Sequence, residues 1–509
     1  MDKKANLASK GISAVFWGSF GSVLRAILQI ITQIILARLL GPSEYGIFAI
    51  AAIVLSFSKF FSDVGISYGL IQKKTIDDDD IKFVFTWQVI LGAAVSGIVF
   101  FLATPLSHFF NEARVIPVIR VASVICFITA LTSLSINLLK RELDFKSIQA
   151  AQVVSYIVGY ILIGIPMALL GQQVWALIAA FIGAELTNLV MMFRKSRHPV
   201  GFMLWRRDES QLVVYGARVF LTNIINWVIG NVDRVIIGRT FPAADIGLYS
   251  LSYNLVSNPT LTIISVIQSA LFSTSARVQD DFDRLRKALL TMIGVVTLVL
   301  FPVFIGIAIA SETILQALYG NAWLGAAGLL RPIALAMPLY LLLGMATPLL
   351  WVSGQTHKEF LIQIPVALGF VLTAAVAAVV SLDAVAWVVF GMYLVRATAI
   401  VTTTCHALDL GLRRVFRSMR GGIITTAITA ILIAVVDLAA RQLTEWPLLW
   451  LVADVLAGLT GMLMSLWVFP NLVNHHVAQL FEKIAQRLPK RSAERIVRFL
   501  CRGNLKRSI

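Results

Sequence analysis

Runs of about twenty apolar residues recur from residue 12 to residue 470 of this 509-residue chain. An α-helix needs about that length to cross a bilayer core of roughly 30 Å. In hydrocarbon every backbone N–H and C=O must find a partner within the protein, so such runs are expected to fold as transmembrane helices. Composition agrees, with 58% hydrophobic residues, 14% charged residues and a mean hydropathy of +0.84. Strands of an outer-membrane barrel alternate polar and apolar residues over about ten positions, and these runs do not. The expected fold class is an all-α polytopic membrane protein. No cleavable leader is expected, because residues 1–10 are polar and the first apolar run is too long for a signal-peptide core.

The runs predict fourteen spans, at about 12–37, 47–71, 83–105, 115–139, 148–170, 172–193, 211–238, 248–275, 288–311, 326–352, 360–381, 383–405, 421–440 and 448–470. Two divisions are thin: Gly171 alone separates the fifth and sixth spans, and Ser381-Leu382-Asp383 the eleventh and twelfth. Lysine and arginine accumulate in cytoplasmic loops, which tests the count. With the N-terminus inside, 32 of the 43 fall in internal segments, 4 in external loops and 7 inside spans. Losing one span would invert everything after it and destroy this asymmetry. The net charge of +16 therefore reflects topology and gives no reason to expect a nucleic-acid partner. Both termini are expected to be cytoplasmic.

A turn occurs twice. Ala37 to Ala51 reads A-R-L-L-G-P-S-E-Y-G-I-F-A-I-A, and Gly238 to Ser252, shifted by 201 positions without a gap, reads G-R-T-F-P-A-A-D-I-G-L-Y-S-L-S. Arg38 falls on Arg239, Gly46 on Gly247 and Glu44 on Asp245, matches harder to obtain by chance than those among aliphatic residues. Each copy is an external turn between the first two spans of a six-span unit, so the units are parallel repeats related by an axis along the membrane normal. The expected organisation is an N-terminal lobe (1–193), a basic cytoplasmic linker (194–210), a C-terminal lobe (211–405), two extra helices (406–470) and a basic tail (471–509). In the tail, Val477, Leu480, Ile484 and Leu488 keep helical spacing, as expected of an interfacial helix on anionic lipid.

Motifs for nucleotide hydrolysis, zinc chemistry or a serine nucleophile are absent, and no external loop is long enough to form a catalytic domain. Cys126, Cys405 and Cys501 are widely spaced, and the six histidines lack ligand spacing, so neither a disulfide framework nor a metal site is expected. Asp77 to Asp80 read as a solvated charge block beside Lys73, Lys74 and Lys82 rather than as a divalent-cation site.

Charge within the spans is more informative, because an ion at mid-helix costs roughly 2.5–3.5 kcal/mol on an insertion scale. Arg25, Lys59, Arg218 and Arg396 lie deep, whereas Arg120 and Arg331 lie near external ends, where they can snorkel. Asp437 and Asp454, also near external ends, are expected to be wet. Asp63 follows Lys59 by four residues and could pair with it. Glu185 and Asp233 are further deep acids. If the deep cations converge they would line a cavity suited to a phosphate or diphosphate; otherwise each is paired inside its own bundle. Pro259, Pro302, Pro332, Pro338 and Pro348 interrupt spans eight to ten and predict kinks.

The turn at Ala37 to Ala51, with Phe61-Ser62-Asp63-Val64-Gly65 and Leu70-Ile71-Gln72 after it, resembles the opening of bacterial polysaccharide transporters. Asn231 to Arg239 and Ile246 to Ser250 resemble the seventh and eighth helices of the same family. That family is the Wzx-type oligosaccharide flippase branch of the multidrug/oligosaccharidyl-lipid/polysaccharide exporter superfamily, in its exopolysaccharide and colanic acid exporter type. The resemblance implies two six-helix lobes around a central cavity, and alternating access moving an undecaprenyl-diphosphate-linked oligosaccharide across the bacterial inner membrane. It implies no catalytic residue and no cofactor. Arg25, Lys59, Arg218 and Arg396 become the substrate-binding candidates. Asp63, Glu185 and Asp233 are candidates for ion coupling, and Arg38 and Arg239 mark the exit mouth. Membrane lipids, a polysaccharide polymerase and export proteins are the expected partners. A multidrug exporter of the same superfamily and a membrane glycosyltransferase or polymerase are the alternatives.

Overall fold

The computed structural model describes residues 2–63, 67, 70, 73, 76–205, 210–275 and 282–469, with the side chains of 2–16, 62–63, 210–223, 269–275 and 356 outside that description. Among these residues the long helices are α1 (2–40), α2 (42–63), α3 (Asp78–Phe110), α4 (Val115–Arg141), α5 (Phe145–Leu169), α6 (Val174–Ser196) and α7 (Ser210–Thr240). They continue as α8 (Ala243–Ser275), α9 (Phe282–Ile309), α10 (Ala327–Val352), α11 (Thr356–Val380), α12 (Leu382–Ala407), α13 (Leu412–Leu443) and α14 (Pro447–Val468). This is the predicted succession of fourteen. Several helices overrun their predicted spans, α3 by a turn at each end, because hydropathy marks only the apolar part of a helix.

The sequence sets the breaks locally. Gly41 takes φ 76° and ψ 174° between α1 and α2, a conformation that glycine adopts without the Cβ clash other residues would suffer. Pro42 follows at the first helical position, where its missing N–H costs no intrahelical bond. The α3 start is built from the acidic run. The Asp77 carboxylate accepts from the Asp80 N–H at 2.8 Å, while the Asp80 carboxylate accepts from the Asp77 N–H at 3.1 Å. This is a reciprocal cap at the positive end of the helix dipole. Lys73 pairs with Asp80 at 2.6 Å and Lys82 with Asp79 at 3.0 Å, so these acids close a helix end. The α5–α6 break at Gly171 has φ 75°.

π-Helical stretches at Ile157–Gly164 in α5 and Val296–Leu300 in α9 widen those helices, the second just before Pro302, which has no N–H for the regular ladder. Pro259 lies within α8, and Pro332, Pro338 and Pro348 lie within α10. The α10 helix is buried along most of its length.

The chain divides into two compact units, Met1–Leu251 with Ala378–Leu382, and Ser252–Ala377 with Asp383–Ile509. The division falls inside α8. The two copies of the repeated turn meet within the first unit. A Cβ added to Gly46 would fall 1.6 Å from the Ala243 carbonyl oxygen, and one added to Gly247 would fall 1.9 Å from that of Pro42. Pro42 and Ala243 are themselves equivalent under the shift of 201. The contact is therefore reciprocal, as a local two-fold axis requires, and both matched glycines are there because backbone meets backbone.

Candidate functional site

In the first unit a polar strip runs along α1, α2, α5 and α6. Arg25, half-buried on α1, donates from Nη1 to Gln152 Oε1 on α5 at 2.9 Å. Two turns further along α1, Thr32 hydrogen-bonds Tyr156, whose ring stacks on Tyr160 with centroids 4.5 Å apart. Among the described residues Arg25 forms no ion pair with a carboxylate; its hydrogen-bond partner is a neutral amide. Lys59 on α2 differs. Its ammonium lies 3.3 Å from Glu185 on α6 and 5.2 Å from the centroid of the Phe181 ring. Lys59 thus has a partner 126 positions away, on another helix. The Asp63 side chain lies outside the described residues, as does that of Arg218.

Asp233 on α7 is buried at 2% exposure and accepts from Tyr249 on α8 at 2.5 Å, while its Oδ1 has no hydrogen-bond partner. Of the paired turn arginines, Arg38 is exposed. Arg239, also exposed, donates to the carbonyls of Phe109 at 2.8 Å and His108 at 3.4 Å. It thereby covers the negative end of α3. Glu44 of the first turn accepts from the Val174 N–H at 3.0 Å, at the start of α6. Each turn therefore also serves a neighbouring helix end.

In the second unit Arg396 on α12 is half-buried, with Nε lacking a hydrogen-bond partner. It lies within electrostatic reach of Tyr340 and Tyr393. The hydroxyls of Tyr253 and Tyr393 are 3.1 Å apart, and the Tyr340 and Tyr393 rings are 5.0 Å apart. Arg25 and Arg396 thus share a character: each lies in a span, each lacks a carboxylate partner among the described residues, and each is accompanied by tyrosines. The tyrosines could not be picked out from the sequence, where an isolated Tyr in an apolar run is unremarked.

One expectation needs correction. Asp437 and Asp454 are not wet but buried, at 6% and 4% exposure, because α13 and α14 pack against each other and cover both carboxyls. Arg331 and Arg120 are exposed, as snorkelling side chains would be, and each has a protein partner: Arg331 pairs with Glu312, and Arg120 bonds Thr104 at 3.3 Å while lying over Phe100.

A family described as polysaccharide biosynthesis protein matches residues 35–328, more than half of the chain. The chain belongs to that family. Among similar proteins, the lipopolysaccharide biosynthesis protein WzxC of Escherichia coli (strain K12) is 23% identical, over 62% of this chain and 65% of its own length. An uncharacterized membrane protein in the cps region of Klebsiella pneumoniae is 25% identical, over 63% of this chain and 66% of its own length. The matched region thus spans slightly less than two thirds of these two relatives. The teichuronic acid biosynthesis protein TuaB of Bacillus subtilis (strain 168) is 22% identical, over 88% of this chain and 93% of its own length. In structure, this polysaccharide biosynthesis family member is similar to the lipid II flippase MurJ in an inward closed conformation. The TM-score is 0.70 at 13% identity, over 90% of this chain and 99% of MurJ. An inward-facing multidrug resistance MATE family transporter gives a TM-score of 0.59 at 13% identity, over 76% of this chain and 94% of its own. The chain has the two-repeat helical transporter fold of these structures.

Proposed function

We propose that this protein flips a polyprenyl-diphosphate-linked oligosaccharide across the bacterial inner membrane, for assembly of an exported or surface polysaccharide. The observation that carries the reading is Arg25, a mid-span guanidinium whose hydrogen-bond partner is neutral Gln152. Placing such a charge in a span costs energy, and a guanidinium presents a fork of donors matched to phosphate oxygens. Two relatives support the same direction: WzxC, a lipopolysaccharide biosynthesis protein, and ExoT of Rhizobium meliloti (strain 1021), a succinoglycan biosynthesis transport protein.

In this reading two six-helix lobes alternate access around the substrate. Arg25, Arg218, Arg396 and Lys59 receive the diphosphate and sugar head group, while the prenyl chain stays in lipid. No covalent bond changes, so the protein is a transporter and not an enzyme. Lys59 is occupied by Glu185, and a proton taken up by Glu185 would release the ammonium to the diphosphate. Asp63 and Asp233 are the other candidates for coupling to an ion gradient. Arg38 and Arg239 lie at the exit mouth on the periplasmic side, both termini lie in the cytoplasm, and a polysaccharide polymerase takes up the product. A cationic-drug exporter would call for net acidic lining, and a carboxylate paired to Arg25 would have favoured it. No such pair occurs among the described residues.

The test is deletion followed by lipid analysis. Complete lipid-linked repeat units should accumulate on the cytoplasmic leaflet. Normal periplasmic delivery, with no second flippase compensating, would falsify the assignment.

A further inference from the structure

The α13–α14 pair contains a buried acidic site to which the proposed transport assigns no role. Asp437 on α13 accepts from the Thr313 hydroxyl of the short helix Ser311–Leu318, and pairs with Arg441 at 3.0 Å. Asp454 on α14 faces the opposite situation. It is 4% exposed, and neither carboxyl oxygen accepts a hydrogen bond from a described donor. It lines a cavity of about 220 Å³ shared by α9, α13 and α14, as does Thr429, a residue 1% exposed whose hydroxyl is also without a partner. The charged groups acting on Asp454 are Asp437 and Arg441. The short helix adds Glu312, which bridges Arg441 at 2.8 Å and Arg331. The Phe301–Ile309 part of α9 adds no titratable group.

If all five groups were ionised, the cluster would hold three carboxylates against two guanidinium groups. A net buried charge is costly unless neutralised, and two adjacent buried carboxyls commonly resolve this by sharing a proton. A proton on Asp454 would convert an orphaned acceptor into a donor toward Asp437, which already accepts from Thr313 and Arg441. A metal ion fits less well, because Arg441 already pairs with the Asp437 carboxylate and opposes a second cation. Among the described residues no three His, Cys, Asp or Glu side chains converge as ligands. Exposure falls from 48% at the Arg331 side chain and 42% at that of Glu312 to 4% at Asp454, which supplies a direction of access.

We propose that Asp454, together with Asp437, is a proton-binding site of the α13–α14 pair, loaded from the end where Glu312, Arg331 and Arg441 lie. The site is independent of the transported substrate, so it stands or falls separately from the flippase reading. Infrared titration of the purified full-length protein in phosphatidylethanolamine/phosphatidylglycerol vesicles tests it. The wild type should show a protonated-carboxyl band at neutral pH. In an Asp233→Asn background, which removes the other described buried carboxyl with an unpartnered oxygen, Asp454→Asn should lose it, and Glu185→Gln should keep it. Asp437→Asn removes the neighbouring charge and frees Arg441, so the band should disappear at a pH lower by about one unit or more. Absence of a neutral-pH band in the wild type, or its persistence in Asp454→Asn in that background, would overturn the site. So would an unchanged midpoint in Asp437→Asn, a readout that remains should Asp454→Asn not fold. Displacement of the band by sodium at constant pH would overturn the proton assignment in favour of a metal cation.

Discussion

Arg25 and Gln152 illustrate how a neutral partner can position a charge without cancelling it. Replacing Arg25 with alanine should leave expression and melting temperature near wild type, because no carboxylate among the described residues is stranded. Transport should fall by on the order of ten- to a hundredfold, the equivalent of one charge-assisted hydrogen bond. Arg25→Lys should recover part of it, since an ammonium keeps the charge but not the fork. Radiolabelled lipid-linked substrate in vesicles would measure this, and equal transport by all three proteins would remove Arg25 from the site. Gly46 and Gly247 make a contrasting pair whose function is steric. A methyl group at either position meets a backbone carbonyl, which cannot swing aside as a side chain can. Gly46→Ala and Gly247→Ala should each destabilise the protein by about 1–3 kcal/mol or more, read as a lower melting temperature and lower yield, whatever substrate is present.

Glu312 acts between elements, joining α10 through Arg331 to α13 through Arg441. The hydrogen bond from Arg441 holds its carboxyl below the usual glutamate range, against a smaller opposing effect of burial. A carboxyl with a depressed folded-state pKa contributes stability that is present above its unfolded value and is lost as pH falls through the folded one. The melting temperature of the wild type should therefore drop on acidification below the ordinary glutamate range more steeply than that of Glu312→Gln, measured in detergent. Parallel pH curves would show that the bridge contributes nothing. The side chains involved are substantially exposed, so the effect should also shrink with added salt. The acidic run before α3 works by similar short-range electrostatics, and Asp77→Ala should cost about 0.5–2 kcal/mol through loss of its cap.

At the scale of the whole molecule, we propose that the distribution of positive charge sets its orientation, with the Arg38 and Arg239 turns toward the periplasm and the α12–α13 loop toward the cytoplasm. In a background lacking Cys126, Cys405 and Cys501, a cysteine at Arg38 or Arg239 should react with a membrane-impermeant thiol reagent in intact cells. One at Arg413 should react only after permeabilisation. The reverse pattern would invert the topology and make the expected exit mouth an entrance.

Apolar run length, the lysine and arginine asymmetry and the 201-residue shift were enough to predict fourteen helices and two related halves, because bilayer thickness and backbone hydrogen bonding leave few alternatives. The same reading located the deep charges, since a charge in an apolar run is conspicuous. It did not reveal their partners. Glu185 holds Lys59 from another helix, a partner no local spacing indicates; Asp454 was expected in water, yet α13 covers it. Burial and pairing depend on which helix faces meet, and residues 17 or 126 positions apart come together only through packing. The turn glycines show both levels at once: the sequence marks them as equivalent, and only tertiary structure shows that their reason is a reciprocal backbone contact.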